Sequence, residues 1–254
     1  MVSKQLNLLF SFLASATLLA GCASQPSTTT TEADPYEAMN RQIYAFNSSL
    51  DQYVLLPVTK GYRAVTPEVV RTGVNNFFEN MREPGYSINN ALQGKGNESI
   101  ESVFRFLVNS TFGVAGLFDV ASWIGMQKHE QDFGQTLGTW GMGAGPYLVL
   151  PVLGPSSARD FWRWPVGVAT NPLTYMVGDD DWASALALGT GDAINARSQM
   201  IDAGLDELRA NTVDEYSAVR DAFLKLREQS IRGQQQSSEQ ELQQLTPLPL
   251  DDEE

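Results

Sequence analysis

The feature that most limits the fold of this chain is an uncharged stretch rich in glycine and proline, Phe133 to Ala158. As a helix it would be long enough to cross a hydrocarbon core of roughly 30 Å. It cannot form one continuous helix, because glycine and proline interrupt the backbone hydrogen bonds throughout it. Two structures stay open. One is a buried hairpin, which the composition favours, and the other is a mobile gate that lines a passage for an apolar ligand.

The start of the chain has the organisation of a bacterial lipoprotein signal. An apolar segment from Leu6 to Leu19 follows a single lysine, and Leu19-Ala20-Gly21-Cys22 resembles a lipobox. Cys22 is the only cysteine in the sequence, so neither a disulfide nor a cysteine metal site can form within one chain. We therefore predict a signal peptide over residues 1–21 and covalent lipid on Cys22.

Residues 22–33 predict a lipid anchor followed by a flexible polar tether. We expect Cys22 to carry a diacylglycerol and an N-acyl chain, since several acyl chains make membrane attachment effectively permanent. Residue 23 is alanine and not the aspartate that retains lipoproteins at the inner membrane, so the expected location is the periplasmic leaflet of the outer membrane. No other cofactor is expected.

The charge of the mature chain limits its partners. Removing 21 of 254 residues leaves 233 and removes Lys4, which changes the net charge from −13 to −14. Binding to nucleic acid depends on Lys and Arg at phosphates, so an acidic chain disfavours it. The same charge disfavours broad adsorption to anionic lipid. Any membrane contact by the folded body must use apolar and aromatic side chains.

Helical periodicity predicts a mostly helical body over residues 34–232. The first helix is predicted to begin after Asp34 and to end at Pro57, and a second to begin at Thr66-Pro67 and to break at Glu83-Pro84-Gly85. The best strand candidate is Tyr147 to Leu153, which Pro151 limits. Between Trp162 and Trp164, Arg163 fits either a membrane-interface anchor or a packed cation–π corner.

The end of the chain is predicted from helix caps and composition. Asp179 to Asp181 are expected to cap a helix that begins at Trp182, and the last helix is expected over Asp214 to Arg227. The final segment, residues 233–254, is rich in Gln, Ser and acidic residues, which predicts a disordered tail.

The residue inventory disfavours an enzyme. His129 is the only histidine, which excludes a His-based metal cluster within one chain, and no Gly-x-Ser-x-Gly motif accompanies it. The run Gly141-Met-Gly143-Ala-Gly145-Pro146 has the wrong spacing and flanks for a dinucleotide loop. We predict no catalytic and no metal-binding residues, although the inventory does not eliminate a hydrolase that uses Asp and Glu alone.

Many short strings along the body resemble the MlaA (VacJ) family of lipoproteins, over about residues 34 to 225. The most specific string is Phe133-Gly134-Gln135-Thr136-Leu137-Gly138. Others are Asp34-Pro35-Tyr36-Glu37, Asn40-Arg41, Phe46-Asn47, Glu83-Pro84, Leu92-Gln93-Gly94, Arg105-Phe106, Asn109-Ser110-Thr111, Asp119-Val120-Ala121, Gly145-Pro146-Tyr147, Leu150-Pro151, Gly154-Pro155-Ser156 and Arg159-Asp160.

The resemblance implies an all-α fold: a ring of mostly in-plane amphipathic helices around a central amphipathic channel, with a Gly/Pro-rich hairpin loop. It implies removal of misplaced phospholipid from the outer leaflet to maintain lipid asymmetry. The implied partners are phospholipid, a trimeric outer-membrane porin and a soluble periplasmic carrier that serves an inner-membrane transporter. No covalent chemistry is implied.

The resemblance and the composition together suggest a channel wall or gate within the uncharged stretch. Its candidate residues are Phe133, Leu137, Trp140, Gly141, Gly143, Tyr147 and Leu148. The bulky members would supply an apolar wall and the glycines a hinge. Two alternatives stay open: a scaffold that binds porins without conducting lipid, and a tethered hydrolase that uses His129 or an acidic pair.

Overall fold

The structure, a computed structural model, describes residues 34–177 and 181–245, with side chains described except at 208, 210 and 234–245. The predicted signal peptide, Cys22, the tether, Asp179, Asp180 and residues 246–254 lie outside the described residues. The predictions for those segments remain predictions.

Helices make up most of the described chain, with one small antiparallel hairpin. This confirms the predicted helical class. The helices are α1 (Glu37–Leu50), α2 (Leu56–Val65), α3 (Glu68–Leu92), α4 (Gly96–Thr111), α5 (Val120–Trp123), α6 (Phe133–Thr139), α7 (Arg163–Thr170), α8 (Leu173–Met176), α9 (Trp182–Asp202), α10 (Leu205–Ala210) and α11 (Glu215–Leu245). The strands are β1 (Tyr147–Leu150) and β2 (Gly154–Ser157). A π-helical turn spans Asp51–Leu55 and a 3₁₀ turn spans Asp160–Trp162.

Two prolines that the sequence predicted to end helices do not end them. A π-helical turn, in which Leu56 N–H donates to Asp51 O, joins α1 to α2 and makes room for the Pro57 ring. Pro84 lies inside the 25-residue α3. An interior proline costs about 3 kcal/mol, and the packing of α3 along α4 offsets that cost. Both helix-end predictions were therefore wrong.

The C-terminal helix is longer than the sequence predicted. It runs to Leu245, so residues 233–245 are helical and not disordered. The segment is rich in Gln, Glu and Leu, which favour helices, and proline does not follow until Pro247. The cap prediction for α9 is confirmed at Asp181, whose carboxylate accepts the Ser184 N–H at 3.0 Å.

The predicted strand is confirmed, and a second strand pairs with it. Tyr147 faces Ser157 and Leu150 faces Gly154 across the hairpin. Tyr147 and Val149 are buried, whereas Leu148 and Leu150 on the opposite face are half-buried. The Tyr147 ring lies against the rings of Tyr216 and Phe223 on α11, at 6.3 and 6.0 Å between centroids. The hairpin thus packs its inner face on the C-terminal helix.

Side chains of α1 replace a third strand along β1. The Asn40 side chain donates to Tyr147 O at 3.0 Å and accepts from Val149 N–H at 2.9 Å. It also donates to Asp34, which in turn accepts the hydroxyl of Tyr216. One buried amide therefore joins the first described residue, the hairpin and α11.

Asn47 holds the hairpin turn in the same way, two turns further along the same face of α1. It donates to Leu150 O at 2.9 Å and accepts from Val152 N–H at 2.7 Å. Val152 has φ +67°, a conformation that a β-branched residue adopts only under constraint.

Among the described residues, no helix is both long enough and apolar enough to cross a membrane.

We predict that Asn40→Ala lowers the free energy of unfolding by about 3 kcal/mol, because the buried Val149 N–H and Tyr147 carbonyl lose a partner and Asp34 Oδ1 loses its bond to Asn40. Gln42→Ala, on the exposed side of the same helix, is the control and should change little. Chemical denaturation of both variants measures the difference. Equal stabilities would show that Asn40 does not hold the hairpin.

Candidate functional site

The helices of the body have an inverted burial pattern: they bury polar residues and expose apolar ones, the reverse of helices in a water-soluble protein. On α4, Ile100, Phe104 and Leu107 form an exposed apolar stripe, while Ser102 and Arg105 are buried on the other face. Elsewhere in the described chain, polar and charged residues also outnumber hydrophobic ones among the buried side chains. Soluble helices place apolar residues inward. The arrangement suits a body with an apolar environment outside and a polar interior.

An ion pair with two carboxylates forms the centre of the polar interior. Arg105, 1% exposed, donates to Glu83 at 2.7 Å and to both oxygens of Asp119 at 3.1 and 3.2 Å. Burial raises the pKa of Glu83 even though Arg105 donates to it. Burial also acts to raise the pKa of Asp119, but hydrogen bonds from Ser122 and Asn109 outweigh it and hold that pKa below its ordinary value.

This interior encloses a small polar pocket between α3, α4 and α5. Its volume is about 30 Å³, enough for one or two waters. Its lining is wholly polar: Asn75, Asn76, Glu79, Asn80, Glu83, Arg105, Asn109, Asp119 and Lys128. These amide and charged side chains come from separate segments of the sequence. Helical periodicity did not predict that they would lie together. The pocket is too small for a lipid head group in this conformation.

The string Phe133 to Gly138 forms α6 and not an irregular loop. Asp132 caps it by accepting the Gln135 N–H at 2.9 Å. Gly134 and Gly138, one turn apart, face α11. A Cβ at Gly134 would lie 2.8 Å from Arg227 Nη2, and one at Gly138 would lie 2.6 Å from the δ-carbon of Ile231. The two glycines therefore allow α11 to lie directly on α6.

Arg227 locks this contact electrostatically. Its guanidinium donates to Asp132 at 2.6 and 2.8 Å and to Asp160 at 2.6 Å. Burial acts to raise the pKa of Asp160, but Arg227 outweighs it and holds that pKa below its ordinary value. Sequence reasoning missed this network, because three segments far apart in the chain contribute to it. The acid at the cap position before Phe133 was the one local signal.

The structure divides the predicted gate residues into two groups. Phe133, Leu137 and Trp140 follow one another at helical spacing on α6 and its C-cap, and the Phe133 and Trp140 rings meet edge to face at 6.2 Å. Gly141 and Gly143 lie in the exposed connector that follows.

The predicted gate residues in the hairpin, Tyr147 and Leu148, lie in different surroundings from those on α6. Tyr147 belongs to the buried core, and Leu148 points to the opposite face of β1. Trp140 is exposed, and its indole N–H donates to Leu92 O at 3.0 Å.

Two other residues that the sequence analysis considered, His129 and Arg163, contact neighbouring side chains in the fold. His129 Nε2 lies 2.8 Å from Glu101, and no serine or threonine hydroxyl hydrogen-bonds to that ring among the described residues. Arg163 lies over the Trp164 ring at 4.8 Å from its centroid, as in the predicted packed corner, whereas Trp162 is exposed. No cluster of three or more His, Cys, Asp or Glu side chains in the described part of the chain could hold a metal ion.

Comparisons with known proteins agree on one family. The family model described as "MlaA lipoprotein" matches residues 32–230. An uncharacterized protein of Rickettsia typhi is 40% identical over 200 residues, covering 78% of each chain. The "Intermembrane phospholipid transport system lipoprotein MlaA" of Escherichia coli is 34% identical over 213 residues and 82% of each chain. The Haemophilus influenzae protein of the same name is 31% identical, covering 83% of this chain and 85% of its own.

A solved structure also matches, and it is described as "Structural basis for maintenance of bacterial outer membrane lipid asymmetry". The TM-score is 0.67 at 33% sequence identity, and the match covers 77% of this chain and 98% of that one. The resemblance recognised in the sequence is thereby confirmed.

We predict that Gly138→Ala destabilises the contact between α6 and α11, because its Cβ would overlap Ile231. The matched control is Gly189→Ala in α9, where a Cβ meets nothing within 4 Å. An unstrained helical Gly→Ala change should stabilise by about 0.5–1 kcal/mol, so the two variants should move in opposite directions. Thermal melting and protease cleavage within α11 measure this. Equal stabilisation by both substitutions would contradict the close packing.

Proposed function

The chain belongs to the MlaA lipoprotein family, and from that premise we propose that it removes misplaced phospholipid from the outer leaflet of the outer membrane and passes it to a periplasmic carrier. The relatives in Escherichia coli and Haemophilus influenzae carry the name of an intermembrane phospholipid transport system. We assign this chain to the same process, as a transport lipoprotein and not an enzyme.

The inverted burial pattern is the observation that carries the proposal. Exposed apolar stripes on helices that cannot span a bilayer suit a body lying within one leaflet, with helix axes near the membrane plane. A polar interior then gives a phospholipid head group a route that avoids hydrocarbon, where unpaired charge costs several kcal/mol. We propose that the helices surround such a route as a ring.

The anchor would keep this body in place. Acyl chains on Cys22 would hold the N-terminus in the periplasmic leaflet, and residues 22–33 would link it to Asp34. The buried carboxylate of Asp34 accepts hydrogen bonds from Asn40 on α1 and from Tyr216 on α11. The residue that follows the tether is therefore fixed to both helices. The lipid anchor would therefore be connected, through Asp34 and Asn40, to the hairpin in the folded body.

The gate proposal now rests on α6 and its connector. Phe133, Leu137 and Trp140 would form an apolar wall, and Gly141, with φ +93°, would be the hinge. The exposed connector at Gly141 and Gly143 lies between two fixed points, α6 held by Arg227 and β1 held by Asn40. Leu148 would extend the wall on the outer face of the hairpin, and the Tyr147 side chain would hold the hairpin to α11.

The proposed partners follow from the family. A trimeric porin would flank the body in the membrane, and a soluble carrier would receive lipid on the periplasmic side. Because the chain is acidic, apolar contacts would be the main means by which its folded body attaches to the lipid of the membrane.

The membrane proposal predicts that Phe104→Glu combined with Leu107→Glu abolishes function. Each charge would enter a surface that contacts hydrocarbon, at a cost of about 2–3 kcal/mol, and would displace α4 from the leaflet. The readout is phospholipid on the cell surface at matched protein levels, in cells that depend on this chain. Gln229→Glu, an exposed position on α11, is the charge control. Full function of the double variant would contradict embedding of this face.

The gate proposal predicts that Gly143→Trp slows lipid transport without unfolding the chain, because the connector is exposed there and a Cβ at Gly143 would meet nothing within 4 Å. Gly167→Trp in α7, equally unobstructed, is the control and should transport normally. Surface phospholipid at matched protein levels measures the effect. If the Gly143 variant preserves lipid asymmetry as well as the control does, the connector is not a gate.

A further inference from the structure

A second cavity lies beside α6, where α11 crosses the end of the hairpin. Its volume is about 340 Å³, within the range of small-molecule sites of roughly 300–1,000 Å³. Ala144, Leu224 and Ile231 form an apolar wall, and arginines dominate the polar wall. A cavity with two such walls suits a ligand that is itself amphipathic.

Arg159 is the buried cation of this cavity, and its contacts are long. It is 7% exposed, and it lies 3.3 Å from each Asp160 oxygen and 3.3 Å from Met142 O. Asp160 is already engaged more closely, by Arg227 at 2.6 Å and by Ser157 at 2.8 Å. Because Asp160 is shared in this way, the charge of Arg159 is less completely neutralised than that of Arg227.

The lining of the cavity carries one surplus positive charge: three cations, Arg159, Arg227 and Arg232, against two anions, Asp160 and Glu228. Outside the lining, Asp132 pairs with Arg227, and Arg163 interacts electrostatically with Asp132 and Asp160, so the surplus stays at one when both are counted. Arg163 forms no ion pair among the described residues; its Nη2 donates to Pro155 O. Arg232 is exposed and pairs with Glu228 at the mouth of the cavity. A net charge of +1 beside an open cavity favours an anion, and arginine matches phosphate oxygens in geometry.

We propose that this cavity binds the phosphate-bearing head group of a phospholipid, with the first carbons of an acyl chain against Ala144, Leu224 and Ile231. The inference rests on the proposed function and assigns a binding site within it. The apolar wall offers nothing to inorganic phosphate, so the lipid and not the free ion is the ligand. Ile231 also contacts α6 at Gly138. The site therefore adjoins the helix that carries the proposed gate.

The test uses the purified full-length chain in amphipol, titrated calorimetrically with dihexanoyl-phosphatidylethanolamine and separately with inorganic phosphate. Ala144→Phe fills the cavity, and Ala222→Phe, exposed on α11, adds the same bulk outside it. Arg232→Gln removes one charge at the mouth, and Lys225→Gln removes one from the exposed side of the same helix. Because Arg232 is exposed, its variant will fold even if Ala144→Phe proves unstable.

We expect the wild-type chain to bind the lipid and to show no measurable binding of inorganic phosphate. Arg232→Gln should weaken lipid binding about tenfold, the effect of one charge-assisted hydrogen bond. Ala144→Phe should abolish it, and both controls should stay within about twofold of wild type. Unchanged binding in Ala144→Phe and Arg232→Gln would overturn the site, and so would phosphate binding as tight as lipid binding.

Cell assays separate this inference from the proposed function. If the wild-type chain and the Ala144→Phe variant restore lipid asymmetry equally, the cavity proposal fails and the transport proposal stands. If the wild-type chain itself does not restore asymmetry, the transport proposal fails, whatever the cavity binds.

Discussion

The bridge that Arg227 makes between Asp132 and Asp160 fixes the arrangement on which the candidate site depends. Asp132 caps α6, Asp160 follows the hairpin, and Arg227 belongs to α11, so one guanidinium joins three segments. Removing one partner of such a buried pair typically costs about 3–5 kcal/mol, because it leaves an uncompensated charge. The glycine face of α6 is required for the same reason, since any Cβ at Gly134 would lie between Arg227 and Asp160.

The polar interior and the apolar exterior are two consequences of one constraint. In the proposed membrane position, the body is surrounded by hydrocarbon and cannot expose amides and charges there, so these groups must satisfy one another inside. Asn40, Asn47 and Arg105 do this over long separations in sequence, each with two or more partners. In that position the hydrophobic effect would contribute little between the helices. Their packing would then rely on hydrogen bonds and on close approach at small residues.

The helical class, the strand at Tyr147, the Asp181 cap and the family were all predictable, because each depends on local signals or on strings of adjacent residues. Pro57 and Pro84 misled, since the rule that proline ends a helix ignores a π-helical turn and packing between α3 and α4. The prediction of disorder failed at residues 233–245, because a Gln-rich composition fits both a disordered segment and a helix. The Arg227 bridge and the cavity beside it were beyond prediction, because contacts such as Asp132 with Arg227 span 95 residues.

The two structures that the uncharged stretch left open turn out to be compatible. The hairpin half is fixed, because Asn40 and Asn47 bind its backbone and Tyr147 packs on α11. The other half has α6 fixed at Asp132 and then an exposed connector with a left-handed glycine at Gly141. Any motion must therefore occur between Trp140 and Pro146. There the backbone is mostly exposed and its side-chain contacts are weaker than those of Asn40: Arg159 lies 3.3 Å from Met142 O, and the Trp140 contact with Leu92 O is a single hydrogen bond. A gate of that size would move only the connector, which contributes Ala144 to the wall of the arginine-lined cavity, while the rest of the fold stays in place.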